Sequence, residues 1–275
     1  MKVTCVVDNG VAWGSSLWGE HGLAFLIETE DGSRILFDTG QSGVVLLHNL
    51  AELRIDPREI NALALSHAHK DHTGGLEALL ERCLGLPVHA HPNLFQERFS
   101  RHGEKIESIG LPLTRDWLAA HAELRLSAGP VEVASGVWTT GEITSRPEPE
   151  GRSVHHLVRQ GDGWIPDPYR DDLSLVLRTA GGLVLLAGCC HAGLLNTLLH
   201  VSRTFGKAII AVAGGTHLVA ADEAYLQHVA TVLEGEYDSP RLYLNHCTGD
   251  EARLALAMVF GKGMCSCPAG TVLSF

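Results

Sequence analysis

The chain has 275 residues, a length for one large domain or two small ones, with 45% apolar residues and a net charge of −11. That charge argues against a nucleic-acid surface, which needs clustered Lys and Arg, yet it leaves room for a small anionic substrate wherever a metal supplies local positive charge. No apolar run reaches the ~18 residues of a membrane span, the opening MKVTCVVDNG lacks the apolar stretch of a signal peptide, and seven cysteines without a disulfide pattern point to reduced thiols in the cytoplasm.

KVTCVV (2–7) and LAFLIET (23–29) are β-branched and apolar runs that predict strands. After the turn EDGS, SRILFDTG (33–40) completes a hairpin. GVVLLHNLAEL (43–53) has helical spacing, NALALS (61–66) is a short buried strand, and GGLEALLERC (74–83) places Leu76, Leu79 and Leu80 on one helical face. LPVHAHP (86–92) is the next strand. NLFQERFS (93–100) predicts a short helix, and IGLPLTRDWLAAH (109–121) is mixed and half irregular. ELRLS, PVEVAS and VWTTGEI alternate like antiparallel strands.

Residues 146–170 carry Pro, Gly and charges without a period and predict a long surface loop, of the kind that is functional or mobile in compact domains. LSLVLRTAGGLVLLAG (173–188) is a hairpin, AGLLNTLLHVSRTF (192–205) a helix, KAIIAVAGG (207–215) a buried strand and ADEAYLQHVATVLEGE (221–236) a helix. RLYLN, DEARLALAMVF and GTVLSF close the chain as strand, helix and strand. Each half passes from a strand-rich start to strand–helix alternation, which suits two αβ layers packed sheet to sheet in one domain spanning 1–275.

Histidine is unusually frequent, at 16 residues, and its placement is more telling than its number. The segment SHAHKDHTGG follows the strand NALALS directly. On extended backbone His67 and His69 point the same way and can grip one ion. Asp71 and His72 come next in the turn and can face a second, in the manner of two-metal sites that clamp an oxygen nucleophile. Further candidate ligands also follow apolar strands: Cys189, Cys190 and His191 after GLVLLAG, His217 after AIIAVAGGT, and His246 after RLYLN. Ligands just past strand ends converge on one crevice.

These residues together resemble the metallo-β-lactamase fold superfamily. SHAHKDH matches its H-x-H-x-D-H motif, and ILFDTG matches its early strand ending in Asp, here Asp38. The set AGCCHAGLLNTL, AGGTHL, NHCTG and PAGTVLSF is similar to a narrower subgroup, the 7,8-dihydropterin-6-methyl-4-(β-D-ribofuranosyl)aminobenzene-5′-phosphate synthase-like proteins. The resemblance implies an α/β fold, a four-layer αββα sandwich, with two zinc ions at one edge, or Mn2+ or Fe in their place. It implies His67 and His69 on the first metal, and Asp71, His72 and His246 on the second. The superfamily's bridging Asp is replaced by Cys189, and no His stands in the usual place before LSLVL. His191 is therefore expected to ligate, with Cys189 as a substitute and Asp172 as a weaker candidate.

The implied activity is metal-dependent hydrolysis of a phosphate-containing or ester-like small molecule, with Asp71 orienting the nucleophile and His217 touching substrate or donating a proton. One alternative is a synthase-type transferase joining a pterin methyl group to an aminobenzene ribofuranosyl phosphate. Another is a non-catalytic metal-binding sensor. Asp38 either orients a ligand or caps the turn at Gly40. The backbone N–H groups of Gly214, Gly215 and Thr216 are candidates to cradle a phosphate. Trp164 and Tyr169, in a loop covering the metal edge, are candidates to stack on a planar substrate. His155 and His156 are expected to be solvated, and Cys247 to pack.

Overall fold

The alternation of apolar side chains along the strands decides the layering. In the strand Leu183–Ala187, Val184 and Leu186 point to one side and Leu183, Leu185 and Ala187 to the other, and all five are buried. Such a strand must be covered on both faces. In the computed structural model, which describes residues 1–275, one face meets a second sheet and the other meets helices.

The first seven-stranded sheet runs, edge to edge, through Val272–Ser274, Lys2–Val7, Ala24–Glu28, Arg34–Phe37, Ala62–Ala64, Leu86–Ala90 and Ala122–Leu126. The second runs through Met264–Ser266, Arg241–Leu244, Ile209–Gly214, Leu183–Ala187, Ser174–Arg178, Val137–Thr139 and Glu132–Ala134. Val3, Phe25, Ile27, Ile35 and Phe37 of the first sheet pack against Leu175, Leu177, Val184, Leu186 and Ala213 of the second. The helices Gly43–Glu52, Leu76–Leu80 and Arg115–His121 cover the first sheet through residues such as Leu46, Leu79 and Leu118. Leu194–Phe205, Glu223–Gly235 and Asp250–Phe260 cover the second through Leu198, Val229 and Leu256. The result is a single αββα sandwich of the α/β class. No helix is long and apolar enough to cross a membrane.

Three expectations are corrected. Residues 93–100 are not a helix. A 3-10 turn, Pro92–Phe95, gives way to the strand Arg98–His102, in which Arg98 and Ser100 are buried and Phe99 and Arg101 are less so. That two-residue period is a strand period. Residues 146–170 are not a loop throughout, because His156–Gln160 and Gly163–Pro166 form a hairpin. Its two-residue connection carries Gly161 at φ +58°, where a side chain would be strained. Both segments join Lys105–Ser108 in a four-stranded sheet. Finally, Ala122–Leu126 lies parallel to Leu86–Ala90, whereas only Glu132–Ala134 and Val137–Thr139 form the expected antiparallel pair.

Candidate metal centre

Five strand ends carry polar groups to one margin of the sandwich. Phe37 leads into Asp38, Ala64 into Ser66 and His67, Ala187 into Cys189, Gly214 into His217, and Leu244 into His246. Four residues there hold left-handed backbone that non-glycine residues seldom adopt: Asp38 (φ +62°), Cys190 (+55°), His217 (+47°) and His246 (+48°). Such strain gathers where the surroundings force a side chain into a working position.

The hydrogen bonds behind the imidazoles fix their tautomers. Asp38, fully buried, accepts the N–H and the hydroxyl of Ser66, both at 2.7 Å. With its proton given to Asp38, Ser66 Oγ accepts from His67 Nδ1 at 2.8 Å. Asp38 also lies 2.7 Å from His72 Nδ1. His191 Nδ1 donates to the Gly151 carbonyl (2.8 Å), and His246 Nδ1 to Asn9 Oδ1 (3.0 Å). In every case Nδ1 carries a proton and Nε2 is turned inward, the orientation that metal-ligating histidines require.

Those inward atoms converge. Ring nitrogens of His67 and His191 lie with Cys189 Sγ within 4.8 Å of one another, and so do ring nitrogens of His72 and His246 with the same sulfur. The His69 ring is 4.6 Å from that of His67 and 4.9 Å from that of His191. The Nε2 atoms of His67, His69 and His191 are buried with no protein partner, a costly state for polar atoms. His72 Nε2 sits 3.2 Å from His246 Nε2 and 3.1 Å from Cys189 Sγ, and Asp71 Oδ2 lies 3.3 Å from His246 Nε2. Lone pairs crowded like this are stabilised by shared cations. The donor set of nitrogen, one sulfur and one carboxylate suits zinc or another late divalent ion. His67, His69 and His191 would hold one ion, Asp71, His72 and His246 the other, with Cys189 between them.

Burial pushes His67, His69 and His191 well below the ordinary imidazole range, so they are neutral and ready to ligate. Burial also pulls on His72, but the carboxylates of Asp71 and Asp38 outweigh it and raise the group to about 9. The Cys189 thiol is pushed up by burial and by its Cys247 neighbour. A bound cation reverses that tendency, since a ligating thiol is deprotonated.

A cavity of ≈ 460 Å³ opens over the centre, with His69, Asp71, His156, His191, His217 and His246 in its wall. His217 stands 4.4 Å from the His191 ring, and burial lowers it to about 4. Several other candidates are placed elsewhere. The Thr216 N–H is bonded to Thr248 Oγ1 (3.2 Å) and so is not free to bind a phosphate, and a Cβ on Gly215 would lie 2.4 Å from the Gly188 carbonyl, so that glycine is packed against neighbouring chain. Trp164 lies edge-on to Phe99 (5.0 Å) between Arg101 and Arg159, which pins the hairpin and keeps the indole out of the cavity wall. Tyr169 is buried, stacked on His191 at 4.2 Å, with its hydroxyl 2.8 Å from His156 Nδ1, so it braces a ligand. Asp172 belongs to neither donor group; its Oδ2 accepts the Ala192 N–H (2.8 Å) and so steadies the turn bearing Cys189 and His191.

Sequence reasoning missed His21, whose Nε2 is 3.4 Å from Asp71 Oδ2, and the pair Asp8 and Asn9, which hold the N–H and Nδ1 of His246. It also misjudged His156, whose ring is 5.0 Å from that of His69. None has a diagnostic spacing. For Asp8 and Asn9 the available signal was a polar pair directly after a strand ending in the apolar run Cys5–Val7.

Comparison with known proteins agrees with this geometry. The model of the metallo-beta-lactamase superfamily matches residues 17–201. The chain is 29% identical over 285 residues to a 7,8-dihydropterin-6-methyl-4-(β-D-ribofuranosyl)-aminobenzene-5′-phosphate synthase of Methanocaldococcus jannaschii, covering 100% of this chain and 97% of the relative. The crystal structure of Tm1679, a metal-dependent hydrolase of the β-lactamase superfamily, matches with a TM-score of 0.85 and 25% identity across 100% of this chain and 99% of that one. The metallo-β-lactamase fold protein YhfI from Bacillus subtilis matches in fold alone, with a TM-score of 0.61 and 16% identity over 99% of both chains.

Proposed function

This chain belongs to the metallo-β-lactamase superfamily, and on that footing we propose that it is a metal-dependent transferase. It would join the 6-methylene carbon of a dihydropterin diphosphate to the amino nitrogen of an aminobenzene ribofuranosyl phosphate, breaking the carbon–oxygen bond so that diphosphate departs and the N–H proton passes to solvent. The observation that carries metal dependence is the meeting of three unpartnered Nε2 atoms, Cys189 Sγ and Asp71 at one cavity floor. The choice of transfer over hydrolysis is supported by the full-length likeness to the Methanocaldococcus synthase.

The ions, when bound, would supply positive charge that stabilises an oxyanion or a departing diphosphate. The chain's own residues prepare that site. Asp71 and Cys189 are the only anionic donors, so two divalent ions held here would leave the cavity floor positive, which would suit an anionic substrate despite the overall charge of −11. His217 and His156, both pushed down by burial, stay neutral near pH 7 and can donate a hydrogen bond to a substrate oxygen without adding charge. Asp71 faces the cavity beside His21 and can orient a reacting group while it ligates.

A second reading, hydrolysis of a phosphate-containing or ester-like molecule, is supported by the same donor set and by the likeness to Tm1679. The test is incubation with a dihydropterin bearing a 6-methyl diphosphate and with 4-(β-D-ribofuranosyl)aminobenzene 5′-phosphate, followed by mass analysis. The coupled product, lost on chelation and regained with Zn2+, is the expected result. Metal-dependent cleavage of simple phosphodiesters or esters without coupling would favour hydrolysis, and no metal-dependent turnover of either kind would overturn both readings.

A further inference from the structure

We propose that the Cys189 thiolate is a ligand shared by both metal ions, so that this centre is built around a sulfur bridge and prefers thiophilic ions. The inference rests on the metal-dependent reading above and concerns how the metals are held, whatever reaction they serve.

Cys189 is the one residue common to the two donor groups, one formed with His67 and His191 and the other with His72 and His246. A buried cysteine by itself is an ordinary small apolar residue. This one is different in its surroundings. Its sulfur faces Nε2 atoms, at 3.1 Å in the case of His72, and two of the imidazoles around it, those of His67 and His191, have no other partner for that nitrogen.

The chain is built to hold the sulfur there. Gly188 precedes it, and a Cβ at that position would meet Ser66 Oγ at 2.4 Å and Asp38 Oδ2 at 3.2 Å. The strand end is thus pressed directly onto the groups that orient His67 and His72. Cys190 follows in left-handed backbone and sends its side chain into the helix-covered core with Leu194 and Leu198. That reversal leaves residues 189 and 191 both facing the centre, and Asp172 ties the turn down through the Ala192 N–H.

Where a carboxylate bridges through two oxygens, Cys189 offers one polarizable sulfur. Ion entry releases the thiol proton to solvent, and the thiolate lone pairs serve both ions. Sulfur ligation favours Zn2+, Co2+, Cd2+ and Fe2+ over Mn2+ and Mg2+.

The test reads coordination and needs no substrate. The full-length chain, stripped by chelator under reducing conditions, is reloaded with Co2+ alone and, separately, with 113Cd2+. Two ions per chain and a near-ultraviolet thiolate-to-cobalt band are expected. The band should vanish in Cys189→Ser and persist in Cys247→Ser. The cadmium spectra of the unaltered chain and of Cys247→Ser should each show two resonances, both displaced by sulfur; Cys247 lies beside Cys189 in the same cavity, and its removal leaves Cys189 as the one thiol there to shift both. One displaced resonance, a single bound ion, no band, or a band surviving in Cys189→Ser would each overturn the bridge. A chain that shows both displaced resonances yet couples no pterin would sink the transferase reading and leave the sulfur bridge standing.

Discussion

The Asp38 carboxylate is surrounded by three donors, the Ser66 amide, the Ser66 hydroxyl and His72 Nδ1, and through them it sets two imidazoles at once. In Asp38→Asn one acceptor oxygen becomes an NH2 that faces another donor, so His67 and His72 lose their fixed orientation. Metal affinity should fall about 10–100-fold with circular dichroism unchanged; competition with a chromogenic chelator measures it, and unaltered affinity would show that Asp38 only caps the turn. Titration of the metal-free chain follows from the same burial. His67, His69, His156, His191, His217 and His246 are held below the imidazole value by desolvation, His217 at about 4. The unfolded chain therefore binds more protons between those values and pH ~6.5, and stability is lost as pH falls through this window. Buried Asp8, Asp171 and Asp172 are raised by desolvation, the latter two to about 7 and 6, and oppose this, but they are three groups against six. His72, raised to about 9 by its carboxylates, adds stability below pH ~6.5 that is lost on rising to 9. Urea midpoints of the chelated chain should peak near neutrality and drop at pH 4.5; a midpoint no lower at pH 4.5 than at 7 would contradict the assignment. At this scale the sequence was most informative where ligands are close neighbours in the chain. His67, His69, Asp71 and His72 announce themselves by spacing, whereas His21, Asn9 and His156 reach the centre from distant segments and carry no local signature.

The strand Arg98–His102 and the hairpin that ends at Pro166 meet at a buried ion-pair cluster. Arg98 pairs with Asp167 at 2.9 Å and with Asp171, whose other oxygen accepts the Ala68 N–H at 2.8 Å, between His67 and His69. Arg98→Ala leaves two carboxylates buried without their cation and should cost about 3–5 kcal/mol. Because Asp171 also holds the first metal's loop, bound metal per folded chain should fall with it. Thermal unfolding and metal analysis of the same preparation check both, and a loss of stability with full metal content would separate the cluster from the centre. This sheet was the least legible part of the fold. HLVRQ and GWIP flank a Gly-Asp turn that signals a hairpin, but prolines and charges on either side masked a period only five residues long. The doubly buried strands were legible because both faces need apolar residues. The direction of Ala122–Leu126 was not, since pairing partners are set by the packed sheet and leave no trace in a five-residue pattern.

Across the molecule, the donors are divided between the two sheets: His67, His69, Asp71 and His72 follow a strand of the first, Cys189, His191 and His246 those of the second. Metal ions bound there would tie the two layers at their margin as well as creating the site. Chelation should lower the unfolding midpoint, and excess Zn2+ should restore it, by about 2.7 kcal/mol when free ion is 100-fold above its dissociation constant. Differential scanning calorimetry with and without chelator measures this, and identical midpoints would mean the layers close without ions. The sandwich itself was readable from the repeated strand-then-helix order of each half. The meeting of the halves was not, because which loops touch depends on how two twisted sheets stack.

No contiguous stretch of this chain contains a whole coordination set. A fragment or a partly collapsed intermediate can offer at most the loose grip of residues 67–72. Tight uptake of a second ion at His72 and His246 would thus mark the completion of tertiary closure. Were two ions bound, their stoichiometry in a preparation would count correctly finished molecules, and an under-loaded sample would be as much a symptom of arrested maturation as of scarce metal.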